Sequence, residues 1–301
     1  MGGDHAPAHP VDGAVAAARI HGIAIDLVGR ESVIRGELER HPDIADLDVR
    51  VVDAPDVIEM SESPAMALRR KPRASIRVAA EQVASGQAVA MFSAGHTGAS
   101  VVAAHAVFGM LAGVDRPALA PTVPTERGSA VLIDAGATLE CKPSYLLQFA
   151  HMGAMYSRVG LGVAHPRVGL LSIGEEETKG NELTRDAHQL LKASSLPFIG
   201  NVEAQALFLG DADVIVCDGF TGNVALKLSE GLVEMVEHLL AKSCRARSRA
   251  RWATCSRSAR SGDSGSAWII PSSAARRCSA SRASAWWGTG DRRRKRCAMR
   301  W

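Results

Sequence analysis

Residues 174–182 read GEEETKGNE, which sets three adjacent carboxylates, a lysine and an asparagine between an apolar run and a helical pattern. Asn181 has the side chain of a helix N-cap, and Lys179 stands where the helix dipole already favours negative charge. Both can donate to an anion. The three glutamates point in different directions and cannot all serve one site, so at least one reads as part of a solvated charge run. No His or Asp lies at ligand spacing nearby to complete a metal site.

Three more loops suggest the same chemistry. In SAGHTGA (93–99), Gly95 and Gly98 let backbone N–H groups approach an anion, with His96 between them and Thr97 able to cap the next helix. CDGFTGN (217–223) repeats the design, with Thr221 and Asn223 as side-chain donors around Gly222. DAGATLECKP (134–143) puts Asp134 at a strand end and Lys142 just before Pro143, a favourable first helical residue. Gly, Thr and Asn also suit plain strand-to-helix turns, and Lys142 also suits plain solvent exposure. At the amino end, MGGDHAP carries Asp4 and His5; His5 is a general acid/base by residue type, although a lone histidine is often structural. The basic stretch RRKPRASIR (69–77) reads either as a solvated face or as a dock for an acidic partner.

Regular elements must position these loops. Short apolar runs at 24–29, 49–54, 88–95, 130–137, 168–174 and 212–219 alternate with helical patterns. One helix is expected from Thr97 to about Leu111. Another carries Leu183, Ala187, Leu190 and Leu191 on one face, and the segment after residue 222 carries Leu232, Met235, Val236, Leu239 and Leu240 on one face. Strands apolar throughout and alternating with helices imply a doubly wound α/β fold, a mostly parallel sheet with helices on both faces. Ligands in such folds bind beyond the carboxyl ends of the strands, so the four polar loops are expected on one rim.

The 301 residues are 47% hydrophobic and 4% aromatic, so small aliphatic side chains must fill most of the core. No apolar run reaches the roughly 18 residues of a membrane span, and the amino end lacks a signal-peptide pattern; a cytoplasmic protein is expected. The formal charge of +3 averages two unlike segments. Residues 243–301 hold 14 Arg and one Lys against two Asp, a net of +13, with all five Trp and no Leu or Val. Residues 1–242 carry a net of −10. The expected division is an α/β domain over 1–242 and an Arg/Ser/Trp-rich tail over 243–301, which has little to build a core with.

The blocks GGDHAP, SAGHTGA, RPALA (116–120), DAGATLECKP, SIGEEETKGNEL, FIGNVE (198–203) and CDGFTGNVALK, in this order, resemble the phosphate acyltransferases of bacterial phospholipid synthesis, the PlsX family. The resemblance covers residues 1–242. It implies a fold similar to phosphotransacetylases and to isocitrate and isopropylmalate dehydrogenases. It implies transfer of a fatty acyl group from acyl carrier protein to inorganic phosphate, without a cofactor. It also implies a homodimer associated peripherally with the inner face of the cell membrane. Asp4, His5, Lys179 and Asn181 are the catalytic candidates under this reading. Gly95, His96, Thr97, Gly98, Asp134, Lys142, Thr221, Gly222 and Asn223 are the phosphate and substrate candidates, with the glutamates holding Lys179 in place. His96 and Thr138 stand where the family usually has Asn, and KPRAS (71–75) departs from its usual run. The strand that the family has before MGGDHAP is not in the sequence, so Met1 reads as an internal methionine. The tail lacks the family's Gly-Gly-Ala and His-Gly-Ser-Ser-Asn motifs, and its composition is that of a GC-rich gene read out of frame.

Two other readings stand beside this one. A phosphotransacetylase-like enzyme would use acyl-coenzyme A as the donor. A nucleic-acid-binding protein would act through the basic, Trp-bearing tail, with steep salt dependence and little sequence preference; the tail forms no recognisable module, and no specific nucleic acid is expected. A dehydrogenase of the same fold is disfavoured by the lack of a GxGxxG after a strand. The tail cysteines form no CxxC pair, which disfavours zinc.

Overall fold

The computed structural model describes Gly3 and residues 5–258. Its first part is α1 (Ala8–His21), β1 (Ile25–Gly29), α2 (Glu31–Leu38), β2 (Val49–Asp53), α3 (Pro64–Arg70), α4 (Ser75–Ala84) and α5 (Thr97–Phe108). β1 and β2 pair in parallel with each other and, among the described residues, with no other strand. Val11 and Val15 of α1 and Ile34 and Leu38 of α2 close a small core against this ribbon. α1 stops at Gly22, whose φ of +60° takes the left-handed turn that glycine adopts freely.

The second part is β3 (Thr122–Thr125), β4 (Gly128–Ile133), α6 (Pro143–Gly160), β5 (Val168–Leu171), α7 (Glu182–Lys192), β6 (Phe198–Val202), α8 (Ala206–Leu209), β7 (Val214–Val216) and α9 (Gly219–Ser258). Its five strands lie in the order β3-β4-β7-β5-β6, parallel except for the β3–β4 hairpin. Side chains alternate across the sheet as strand geometry requires. Val131, Ile133, Val168, Leu170, Val214 and Val216 face Leu146, Phe149 and Ala150 of α6 and Ala187 and Leu191 of α7. Leu132, Leu171 and Ile215 face the other way, onto Leu207 of α8 and Leu226 of α9. Both faces are covered, which is why these strands read as unbroken apolar runs. The doubly wound α/β reading holds.

Close packing of α6 on the sheet depends on one missing side chain. A Cβ at Gly153 would stand 2.5 Å from Val214 Cγ1 and 3.1 Å from Ile133 Cγ2. At the lower edge of the sheet, Arg167 before β5 grips Asp213 before β7. Its Nε and Nη2 donate to the two carboxylate oxygens, each at 3.0 Å, and its backbone N–H donates at 2.8 Å.

The structure departs from expectation in two places. Residues 88–95 form no strand: they pair with no ladder, and Val89 and Phe92 are 73% and 77% exposed. An apolar run becomes a strand only where a neighbour accepts its hydrogen bonds, and β1 and β2 take each other. β3 and β6, by contrast, are additional strands; Pro124 in the first and Gly200 and Asn201 in the second interrupt the apolar pattern. α9 runs from Gly219 to Ser258, across residue 242 where the tail is expected to begin; residues 259–301 lie outside the described residues. The expected apolar face of α9 is present as Leu232, Met235, Val236, Leu239 and Leu240, all exposed.

Candidate active site

Parallel strands β4, β7 and β5 end on one edge, so three of the four polar loops share a rim: DAGAT, CDGFTGN and SIGEEETKGNE. The fourth, SAGHTGA, follows no strand and sits instead beside the amino-terminal loop. A Cβ at Gly3 would stand 2.7 Å from the Ala94 carbonyl oxygen and 3.8 Å from Gly95 Cα. This contact brings GGDHAP and SAGHTG together. Asp4 lies outside the described residues. His5 is exposed, with its ring 4.5 Å from that of His9.

α5 begins at Thr97, with His96 at the cap position and no side-chain hydrogen bond to the first turn. Thr97 was the expected cap, yet it is already helical, so its hydroxyl lies inside the first turn rather than ahead of it. The amides that open α5 thus have no side-chain acceptor. A Cβ at Gly98 would stand 3.1 Å from His96 Cε1 and 3.2 Å from Pro64 Cγ, so this loop also adjoins the start of α3.

The other two glycine loops are closed on themselves. Asp134 is fully buried at the end of β4. Its carboxylate accepts from the N–H groups of Leu119, Gly136, Ala137 and Thr138 at 2.7–3.1 Å. Burial pushes this carboxyl up from the ordinary aspartate value, against the four N–H groups that pull it down. Asp134 therefore organises its loop from inside, and those amides point at Asp134 rather than outward. Asp218 does the same for α9: one oxygen accepts from Phe220 N–H and Thr221 N–H, each at 3.0 Å, and the other from the Thr221 hydroxyl at 2.6 Å. The amides of these two loops were expected to face an anion; a short aspartate at each strand end takes them first.

These two loops are also locked to each other. Gly219 N–H donates to the Thr138 carbonyl at 2.9 Å, Gly222 lies against the Asp134 carbonyl, and Asn223 lies beside Gly136. Asn223 is exposed, with its amide open to solvent.

In the third loop, Asn181 caps α7 as its side chain suggests, with Oδ1 accepting from Thr184 N–H at 2.9 Å. Gly180, at φ +104°, carries the chain into that cap and leaves no space for a Cβ beside Thr184. The glutamates do not hold Lys179. Glu177 turns back onto α7 and accepts from Gln189 at 2.7 Å and Lys192 at 2.8 Å. Those bonds draw its carboxyl below the usual glutamate value, that from Lys192 foremost. Lys179 is exposed and makes no ion pair among the described residues; Lys142 likewise makes none, its Nζ standing 5.8 Å from the Tyr145 ring centre.

The basic stretch 69–77 is largely self-paired. Lys71 binds Glu62 at 2.6 Å, Arg73 binds Asp53 at 2.9 Å and Arg77 binds Glu81 at 3.0 Å. Its solvated-face reading is the better one. Sequence reasoning also missed His188 and Asn201, which are buried and bonded to each other beneath the glutamate loop at 2.9 Å. A histidine in mid-helix carries no local signal for that role. Among the described residues no cluster of His, Cys, Asp or Glu is placed to hold a metal ion, and no helix is long and apolar enough to cross a membrane.

Known proteins with similar sequences and folds give the context. A family model described as "Fatty acid synthesis protein" matches residues 1–257. A phosphate acyltransferase from Geobacter sp. (strain M21) is 50% identical over 240 residues, covering 80% of this chain and 68% of that relative. A phosphate acyltransferase from Heliobacterium modesticaldum is also 50% identical over 240 residues, covering 80% and 72%. Among solved structures, a phosphotransacetylase from Streptococcus pyogenes superposes with a TM-score of 0.55 at 15% identity, over 74% of this chain and 78% of that one. The EutD phosphotransacetylase from Staphylococcus aureus gives 0.52 at 15% identity, over 73% and 78%. These two establish a shared fold. The sequence relatives establish more: the chain belongs to the phosphate acyltransferase family of fatty acid synthesis proteins.

Proposed function

We propose that this chain transfers a fatty acyl group from the thioester of acyl carrier protein to inorganic phosphate, giving acyl phosphate and a free thiol for phospholipid synthesis. The observation that carries this reading is the pair of ammonium groups, Lys142 and Lys179, that make no ion pair among the described residues on a rim where Glu140, Glu175 and Glu176 are close in sequence. Their loops follow β4 and β5, which flank β7 in the sheet. The uncapped start of α5, with Gly95, His96, Thr97 and Gly98, lies beside the amino-terminal loop and is assigned further substrate donors. Asn223 adds an amide, while Thr221 and Gly222 shape its turn.

The chemistry asks for positioning more than for a strong base. A phosphate oxygen attacks the thioester carbonyl carbon, the carbonyl oxygen becomes an oxyanion, and the C–S bond then breaks to release the thiolate. Phosphate is already partly dianionic near neutral pH, and a thiolate leaves readily. Donors that hold the phosphate and stabilise the oxyanion therefore contribute most. His5, with Asp4, is assigned proton delivery to the leaving thiolate. The reading extends to a homodimer at the inner face of the cell membrane, supported by the exposed apolar side chains along α9.

The test is formation of acyl hydroxamate when hydroxylamine traps the product, with acyl carrier protein and coenzyme A thioesters compared as donors. Phosphate-dependent product, faster with acyl carrier protein, is expected. A preference for coenzyme A would move the chain to a phosphotransacetylase-like activity, and no phosphate-dependent product from either donor would overturn the proposal. Lys179→Ala is expected to weaken phosphate saturation; unchanged phosphate affinity and turnover would remove Lys179 from the site.

A further inference from the structure

The loop that carries Lys179 has no regular structure of its own, yet it rests on a buried polar pair. Asn201 of β6 and His188 of α7 are each 5% exposed. Asn201 Nδ2 donates to the Glu176 carbonyl at 2.9 Å, which settles the orientation of the amide: its nitrogen faces the loop and its oxygen faces α7. His188 Nδ1 lies 2.9 Å from that oxygen and is therefore the protonated, donating nitrogen. Phe198 packs edge-on against this ring, with centroids 5.1 Å apart. The loop's next residue, Glu177, is drawn over the same place by Gln189 and Lys192, and its carboxylate stands 3.8 Å from His188 Nε2.

We propose that His188 and Asn201 are positioning residues: together they fix the height of the 174–180 loop above the sheet and so hold Lys179 over the rim. The chain of contacts runs from α7 through His188 to Asn201, then to the Glu176 carbonyl, and Lys179 N–H closes the turn by donating to that same carbonyl at 2.9 Å. One carbonyl thus joins the buried pair to the lysine. The link to substrate rests on the phosphate-transfer reading above; the link to loop position does not.

Two substitutions separate this role from simple core packing. Asn201→Asp keeps an acceptor for His188 but removes the donor to the Glu176 carbonyl, so it cuts the loop free while leaving the pair. His188→Leu removes the donor to Asn201, and His188→Asn restores a nitrogen near the position of Nδ1. Hydrogen–deuterium exchange of peptides spanning 173–182 is measured alongside KM for phosphate and kcat. For Asn201→Asp we expect exchange in that segment to rise about tenfold, roughly the worth of one buried hydrogen bond. We also expect KM for phosphate to rise several-fold more than kcat falls, while exchange elsewhere in the sheet stays as in the parent. His188→Leu should do the same, and His188→Asn should recover most of the loss. Unchanged exchange at 173–182 in Asn201→Asp overturns the proposal, as does a uniform rise across the whole sheet. If the exchange changes as expected but no phosphate-dependent product forms even in the parent, the positioning role stands and the phosphate-transfer reading falls.

Discussion

Gly222 in the first turn of α9 lies directly against the carbonyl oxygen of Asp134 at the end of β4, so close that a Cβ would overlap it. Cys217 Sγ would stand 2.8 Å from the same Cβ. Two neighbouring loops of the rim are thereby sealed into one unit. Gly222→Ala is expected to push α9 off β4 at a cost of about 1–3 kcal/mol, the usual range for forced overpacking. A thermal melt should show the loss, and phosphate-dependent activity should fall with it. A melting temperature equal to the parent's would mean that the contact yields freely.

Asp134 is irreplaceable by its own amide. The carboxylate accepts from four backbone N–H groups and has nothing to donate. Asp134→Asn would turn an NH2 toward some of those donors and leave at least one buried N–H unpaired, at a cost of about 1–3 kcal/mol. The variant should unfold at lower urea concentration with an unchanged m-value. An equal midpoint would show that the loop can re-form around an amide.

Gly153→Ala sets two effects against each other. Replacing glycine by alanine inside a helix gains about 1 kcal/mol in propensity. The new methyl, however, would meet Val214 at 2.5 Å and Ile133 at 3.1 Å. Overpacking of a full core costs about 1–3 kcal/mol, so the net effect should be destabilising. Denaturant melts decide it: a more stable variant would show that α6 shifts without cost.

Acid should weaken the grip between Arg167 and Asp213. Burial pushes the Asp213 carboxyl up, but the hydrogen bonds from Arg167 outweigh it and hold the carboxyl below the ordinary aspartate value. A depressed carboxylate contributes stability above its unfolded value, and that stability is lost as pH falls through the folded value. With the Arg167 side chain 41% exposed, the pair should contribute about 1 kcal/mol at pH 7. Arg167→Ala should lose that amount at pH 7 and should then lose less than the parent as pH falls below the ordinary aspartate value. Equal acid sensitivity in parent and variant would contradict this.

The central strands β4, β5 and β7 were legible because both faces are buried, which leaves no polar alternation to confuse the pattern. Asn181 was legible because a cap is a local device, complete within four residues. β6 was hidden because Asn201 occupies a strand position in the core, acceptable only because His188 and the Glu176 carbonyl satisfy it. The run at 88–95 misled because a strand is a property of two segments, and its composition says nothing of a partner. The glycine loops misled for a related reason: residue type shows that amides can approach an anion, but not that Asp134 and Asp218 already occupy them. For the same reason the glutamates as a group are expected to hold Lys179, whereas Glu177 binds Lys192, the last residue of α7.

The separation of β1 and β2 from the five-stranded sheet has a consequence for the order in which the chain comes apart. A parallel ribbon of two strands is marginal alone and depends on α1, α2 and α4, which pack against it. The larger sheet carries a layer on each face and should survive as the stronger cooperative unit. Mild denaturant should therefore loosen the amino-terminal third first. Gly3, His5 and the start of α5 sit outside the larger sheet, so the contact between the amino-terminal loop and the 93–99 loop would be lost while the loops that carry Lys142 and Lys179 stayed on an intact rim.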